Sequence, residues 1–396
     1  MKRVLLAFAI ILIGLGGLAT LLLCSDFGHR FWLHHLSLPS LLRYTIRHDD
    51  DPDAFVELAA RMEAQGHDEE AFQDYIHAAK RQPTNETAWF GAIRCAQRTR
   101  DMKNTLALAQ QMIEALPRSS TAWSTLAKLY LQTGDRVKAI AVFRHALSLN
   151  PHNAEAQYGL SKALFQQGDL QHALSSAQKA VALSTNRVSY LLNLATILQQ
   201  MGRFAEAKTV LQKAYHLSPH NPEVLAAEGT LLATSSTSPT QQATAIRLLK
   251  AAIERLNDPV KAYSASYQLG QLYLLMNKLP DAEQAFRQAL QLNPNDTQTL
   301  FALGRTLALE RKSAESKATL ERFYRESQFR LKLSQLQMRI GRQPNSALLW
   351  NRLALLYASH HHWAEARLAA QRSLQLQPNQ PQLRQKAKMW PATTAP

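Results

Sequence analysis

The same set of residues returns every 34 positions, and nothing else in this chain restricts its fold as tightly. Counting Ser120 as position 1, Trp123, Leu126, Ala127, Tyr130, Gly134, Ala139, Phe143, Ala146 and Pro151 fall at positions 4, 7, 8, 11, 15, 20, 24, 27 and 32. The same ruler laid from Pro52 meets Phe55, Leu58, Ala59, Ala71, Tyr75, Ala78 and Pro83, and from Glu86 it meets Trp89, Ala92, Ala109 and Pro117. From Ala154 it meets Leu160, Gly168, Ala173 and Ala180, and from Val188 it meets Leu194, Ala195, Gly202, Ala207, Ala214 and Pro219. Five consecutive matches in one frame define a repeating unit.

Packing explains the pattern. Small residues at positions 8, 20 and 27 let paired helices approach closely, and large residues at 4, 11 and 24 fill the space between them. A turn residue near position 15 ends the first helix, and proline near 32 stops the second. Ala, Leu and Gln dominate and glycine numbers only 14 in 396 residues, so the chain is expected to be all-α. The full pattern resembles the tetratricopeptide repeat (TPR). That resemblance implies a right-handed superhelical solenoid of helix pairs, about nine of them, in which each unit is stable only when stacked on its neighbours.

Past residue 221 the frame breaks twice. The repeat from Pro222 keeps Leu225, Gly229 and Leu232, but Ser235 to Pro239 lengthens its turn before Ala245, Leu249 and Ala252 resume the pattern. A strong repeat restarts at Tyr263, with Leu269, Gly270, Tyr273, Ala282, Phe286, Ala289 and Pro294. The next, from Thr297, keeps Leu303, Gly304 and Leu320 but has Ser316 where alanine is expected. From Glu321 through Ile340 the chain runs on without Pro or Gly, which predicts an extended helix or an extra helical pair. A last repeat from Ala347 carries Trp350, Leu353, Ala354, Tyr357, Ala366 and Pro378. The repeats therefore span residues 52–380, with a basic capping helix over 381–389 and a loose tail to 396.

The chain begins with Lys2 and Arg3, then 21 uncharged residues from Val4 to Cys24. As a helix these would cover about 30 Å, the thickness of bilayer hydrocarbon. Residues 1–25 are accordingly read as a transmembrane signal-anchor. Cleavage after Gly17-Leu18-Ala19 is a weaker alternative, because apolar residues continue through Leu23. A lipoprotein site at Cys24 is weaker still, because Leu23 precedes it. Residues 26–51 are read as a juxtamembrane linker, with a membrane-surface helix over 33–47 as the other option. Lys2 and Arg3 favour a cytoplasmic N-terminus and hence repeats outside the cytoplasm, whereas Arg30, Arg43 and Arg47 pull the other way.

No metal, phosphate-loop or nucleophile motif is present, and no segment outside the repeats is long enough for a catalytic domain. The chain is expected to be no enzyme, with no cofactor, metal or small-molecule substrate. His360-His361-His362 falls at the turn of the last repeat and reads as a solvated turn, and Asp49-Asp50-Asp51 as a polar lead into the first repeat helix. With Cys24 in the apolar start and only Cys95 in the body, no disulfide forms within the repeats. Charge is uneven: residues 48–85 hold ten acids and three bases, and residues 297–396 hold sixteen bases and five acids. Without a nucleic-acid motif, acidic protein or lipid headgroups are the expected partners of the basic end.

The family resemblance implies that first-helix positions 2, 5, 9 and 12 line a concave binding groove. At position 5 stand Phe90, Tyr158, Tyr267 and Phe301, and at position 9 stand Arg94, Lys128, Lys162 and Arg305. Residues four apart are neighbours on a helix, so Phe90 with Arg94, Tyr158 with Lys162 and Phe301 with Arg305 are expected as aromatic–cation pairs. Asn193, at position 6, adds an amide. Such a groove suits protein segments bearing acidic and apolar side chains. The expected function is a membrane-anchored scaffold or assembly factor. The alternative is a structural component of a polysaccharide synthesis or export complex.

Overall fold

Asp51, Asn85, Ser119 and Asn153 occupy the position before each of four repeats, and each accepts a hydrogen bond from the backbone N–H three residues on. These caps set where the first helices begin, because Asp, Asn and Ser satisfy N–H groups that a helix start leaves unpartnered. The structure is a computed structural model and describes residues 26–99, 102–235 and 238–391. The described residues are all-α, with 21 helices and no strand.

The chain divides into two compact units, residues 1–210 and 211–396. The first holds α1 (Asp26–His35), α2 (Leu38–Arg47), α3 (Pro52–Ala64), α4 (Asp68–Arg81), α5 (Glu86–Arg98), α6 (Met102–Ala115), α7 (Ser120–Gln132), α8 (Arg136–Leu149), α9 (Ala154–Gln167), α10 (Leu170–Leu183) and α11 (Val188–Gln200). The boundary falls within α12 (Phe204–Leu217). The second unit continues with α13 (Pro222–Ser235), α14 (Pro239–Ile253), α15 (Pro259–Leu275), α16 (Leu279–Leu292), α17 (Thr297–Leu309), α18 (Ser313–Arg342), α19 (Ala347–Ser359), α20 (Trp363–Leu376) and α21 (Pro381–Met389).

In unit 1 the first helices start at Pro52, Glu86, Ser120, Ala154 and Val188, on the 34-residue ruler. Position 15 takes a left-handed backbone conformation in every described case. Gly66, Gly134, Gly168 and Gly202 adopt φ of +84°, +83°, +90° and +73°, where glycine carries no Cβ penalty. In unit 2 the same position is held by Asn277, Arg311 and His361, with φ of 55°, 63° and 62°. The turn persists there although its glycine signal is gone. Trp89 and Trp123, at position 4, each donate an indole N–H at 2.9 Å to the carbonyls of Pro83 and Pro117. The tryptophan thus pins the turn that the preceding proline opens.

Position 24 is the centre of each packing unit. Tyr75 and Phe143 in unit 1 and Phe286 in unit 2 are fully buried. A Cβ at Gly91 or Gly159 would fall within 3.0 Å of the Tyr75 or Phe143 ring, and one at Gly270 would meet Phe286 in the same way. Each large ring therefore rests against a first-helix backbone through a missing side chain. At 91 and 159 that small residue is position 6 of the following repeat, which the packing positions read from the sequence did not include.

Residues 26–47 correct an expectation. Instead of a plain linker, they form α1 and α2, which pack on α3 through Leu33 and Leu41 against Ala54 and Leu58. Polar contacts reinforce the seat: His29 with Asp51 at 2.7 Å, Arg30 with Asp53 at 3.0 Å, and His34 with Glu57 at 3.0 Å. The Arg61 guanidinium donates to the carbonyls of Leu33, His34 and Leu36 at the end of α1. A cation there also complements the negative end of the helix dipole. The acidic stretch of residues 48–85 thus holds the chain's own N-terminal helices. The apolar run from Val4 to Cys24, read as an anchor, lies outside the described residues; among those described, no helix is long and apolar enough to cross a membrane.

In unit 2, α13 ends at Ser235 and α14 begins at Pro239. The Pro- and Gly-free run is one helix, α18, of 30 residues. Leu333, Leu336 and Ile340 in its second half pack with Leu349 and Leu353 of α19, and Leu383 of α21 closes the same cluster.

Candidate functional site

The position-5 and position-9 residues emerge from first helices as expected, but the helices around them alter what those side chains can do. On α9, Lys162 Nζ lies 5.4 Å from the centre of the Tyr158 ring. In unit 2, Arg305 lies 5.9 Å over Phe301 on α17. These two aromatic–cation pairs form. Lys162 and Arg305 are exposed, and neither has a carboxylate partner among the described residues.

Phe90 and Arg94 do not pair this way. Arg94 turns from the half-buried Phe90 to Glu63 of α3, donating from Nε at 2.6 Å and Nη2 at 2.7 Å. Arg98 also reaches Glu63, at 3.2 Å, and the buried Tyr75 hydroxyl donates to it at 3.0 Å. A bidentate charge-assisted contact outweighs a cation over a half-exposed ring. The hydrogen bond from Arg94 holds the Glu63 carboxyl below its ordinary range; burial opposes this, and Tyr75 and the charges of Arg94 and Arg98 add to it.

A carboxylate held low contributes stability that is present above its unfolded pKa of about 4.3 and lost as pH falls through the depressed value. Glu63→Gln should therefore melt below the parent at pH 7 and converge with it only as pH falls through that depressed value. Equal melting temperatures at pH 7 would show that the Arg94 contact contributes nothing.

Two further assignments change. Lys128 is not free for a partner, because its Nζ lies 2.9 Å from Glu155 Oε1. The Asn193 amide donates to Ser161 Oγ at 2.6 Å, so it joins α11 to α9 rather than facing outward as a spare donor. Tyr267 on α15 is half-buried, with its ring 6.0 Å from Phe286 and its hydroxyl accepting from Gln271. Phe301 is 44% exposed and its ring lies 5.3 Å from that of Phe323.

What sequence reading missed is Tyr190, at position 3 of its repeat. Its ring stacks on Tyr158 at 4.8 Å, and its hydroxyl donates to Glu155 at 2.7 Å. Burial, then that hydrogen bond, raises the Tyr190 pKa, so it stays a donor at neutral pH. Burial also works to raise the Glu155 pKa, but Lys128 and Tyr190 bring it below the ordinary value. Glu155 stands at position 2, inside the expected lining set, and was legible on that ground. Tyr190 was not, because position 3 lies outside that set.

The site in unit 1 is thus a surface across α7, α9 and α11. Two stacked tyrosines lie beside one carboxylate that is already neutralised, and one exposed ammonium remains. Tyr190 is buried beneath this surface, so what it offers is the half-buried Tyr158 ring and a positive charge for a carboxylate. It has no nucleophile–base pair, and among the described residues no three His, Cys, Asp or Glu side chains are grouped to hold a metal. The histidines at 360–362 are less solvated than expected. His360 and His362 stack on Phe329 of α18 at 4.2 and 5.2 Å, and His361 is the left-handed residue of the turn. Asp51 acts as expected, capping α3.

Tetratricopeptide-repeat models match residues 124–187, 164–231 and 263–296. None of the curated proteins matches the sequence. Among solved structures, the Cut9–Hcn1 hetero-tetramer of the APC/C is similar at a TM-score of 0.52 and 16% identity, over 93% of this chain and 60% of that one. The chain therefore spans about 60% of that relative's length. A tetratricopeptide repeat protein from Parabacteroides merdae gives 0.41 and 18%, over 68% of this chain and 98% of that one. YrrB, a TPR protein with an unusual peptide-binding site, gives 0.37 and 22%, over 49% and 96%. With helix pairs on a 34-residue period and the family-model matches, the chain carries tetratricopeptide repeats over residues 124–231 and 263–296.

Proposed function

We propose that this chain is a scaffold that binds segments of other proteins along the first helices of its repeats. The apolar segment Val4–Cys24 holds it at a membrane with the repeats outside the cytoplasm, and it carries out no catalysis. The observation that supports this best is the α9–α11 surface, where Tyr158 and Tyr190 stack and Lys162 stays exposed beside them. The buried Tyr190 fixes the half-buried Tyr158 ring in place, so that ring gives apolar contact at low entropic cost, and the ammonium adds selectivity for a carboxylate. A partner segment pairs an acidic with an apolar side chain a few residues apart.

The test is a photo-crosslinking residue placed at Tyr158 in the full chain, in cells, with a second placed at Lys179 on α10 as control. The Tyr158 position should capture one or a few partners that the Lys179 position does not. Lys162→Glu, at an exposed site, should lower that capture about tenfold, and salt should weaken the encounter without abolishing it. Identical capture from both positions would overturn the groove. Membrane holding is read separately. The full chain should remain with membranes through an alkaline wash, a chain starting at Asp26 should be released, and release of both would remove the anchor.

A further inference from the structure

The 30-residue helix α18 extends past the length its repeat needs, and one face of it carries a seven-residue pattern. Tyr324, Leu331 and Met338 are 63%, 52% and 60% exposed, large side chains left in water at the same point of three successive heptads. Ser327, Ser334 and Gly341 each stand three residues after one of them, and a Cβ at Gly341 would meet nothing within 4 Å. A seven-residue spacing keeps a stripe on one side of a helix with a drift of about 20° per heptad. Here that side lies away from Phe329 and Ile340, which are buried.

A second pattern runs beside the first. Arg325, Lys332 and Arg339 each follow a stripe residue by one position, all three exposed and none ion-paired among the described residues. Next to them a groove of about 430 Å³ opens between α18 and α19, lined by Lys332, Leu336, Met338, Arg339, Arg352 and Leu356 among others. Its lining mixes apolar Leu336, Met338 and Leu356 with the cations Lys332, Arg339 and Arg352.

We infer that this seam docks an amphipathic helix of another protein, about 20 residues long, with apolar residues at heptad spacing and a flank of Asp or Glu turned toward Arg325, Lys332, Arg339 and Arg352. From Tyr324 to Gly341 the seam runs about 26 Å at 1.5 Å per residue, which fixes the partner's length. Large side chains alternating with Ser and Gly leave gaps that a partner's side chains enter, as in helix–helix seams. The stripe is one residue wide and bordered by Gln328 and Gln335, narrower than the apolar face of about 100° or more typical of amphipathic surface helices. A second copy of the chain fits poorly. Between Tyr324 and Arg342 the one acid is Glu326, about 200° round the helix from Tyr324 and so off the flank, and two copies laid seam to seam bring positive charge against positive charge there. The seam shares no residue with the first-helix surface above, and its test is independent of that one.

The test uses the full chain and a designed, fluorescently labelled 21-residue helix with Leu and Ala on its facing positions and Glu on its flank, read by anisotropy. A Lys-flanked version of the same peptide is the control. The Glu-flanked helix should bind at least about tenfold tighter, with the ratio shrinking as salt rises. Leu331→Asp, at an exposed position, should abolish binding with the melting temperature unchanged. The triple variant Arg325→Glu, Lys332→Glu, Arg339→Glu should reverse the preference and bind the Lys-flanked helix. Equal binding of the two peptides, or a triple variant without reversal, overturns the proposal. Two other results also overturn it: partition into phosphatidylserine vesicles that falls in Leu331→Asp, which assigns the seam to a membrane, and self-association lost in Leu331→Asp, which assigns it to a second copy.

Discussion

Phe143→Ala is expected to cost about 3 to 5 kcal/mol, the range for removing a buried aromatic side chain whose site cannot fully collapse. The ring is completely buried in α8 and lies against the backbone of α9 at Gly159. Gly159→Ala should cost about 1 to 3 kcal/mol by overpacking, because the new Cβ would fall within 3.0 Å of the ring's Cζ and Cε1. The informative experiment combines them. Phe143→Leu removes those distal ring atoms, so Gly159→Ala made in that background should cost less than it does in the parent. Chemical denaturation of the four proteins should give a coupling of about 1 kcal/mol, with the double variant more stable than the sum of the singles implies. Strict additivity would mean that the two residues do not touch. Because each repeat is stabilised by its neighbours, the loss should spread from α8 and α9 into adjacent pairs.

Leu41→Ala is expected to cost about 2 to 5 kcal/mol locally, since Leu41 is fully buried between α2 and α3. The end of a stacked array can detach without unfolding the rest, so global melting understates the effect and amide hydrogen exchange is the better measurement. Protection should fall across residues 28–47 and hold over α7 to α10. Arg61→Ala should act in the same direction for a different reason. It leaves the carbonyls of Leu33, His34 and Leu36 without their cationic donor, while water can still reach them. The smaller effect belongs to Arg61→Ala. Unchanged exchange over residues 28–47 in both variants would show that α1 and α2 are not seated on α3.

The helical class, the 34-residue step and the identity of the packing residues were legible in the sequence, because each follows from local chemistry. Asp, Asn and Ser before a helix satisfy its first N–H groups, glycine takes a left-handed turn, and alanine permits close approach wherever the backbone needs it. Two helices at the N-terminal end were not legible. Residues 26–47 have no repeat of their own, and their apolar residues have a reason to be buried only once α3 supplies Ala54 and Leu58. In unit 2 the left-handed turns at Asn277, Arg311 and His361 were hidden because none of them is glycine, although Asn and His enter that region more readily than most side chains.

For the candidate site the division is similar. A single repeat tells which side chains share a helix face, so Tyr158 with Lys162 and Phe301 with Arg305 were predictable four residues apart. Whether a charge on that face remains available depends on carboxylates 27 to 31 residues away in the chain. Glu63 takes Arg94 and Glu155 takes Lys128, while Lys162 has no such neighbour. Local sequence determined the helices and what each face carries. Only stacking decided which of those side chains still face a partner, because ion pairs between repeats join residues that no helical periodicity relates.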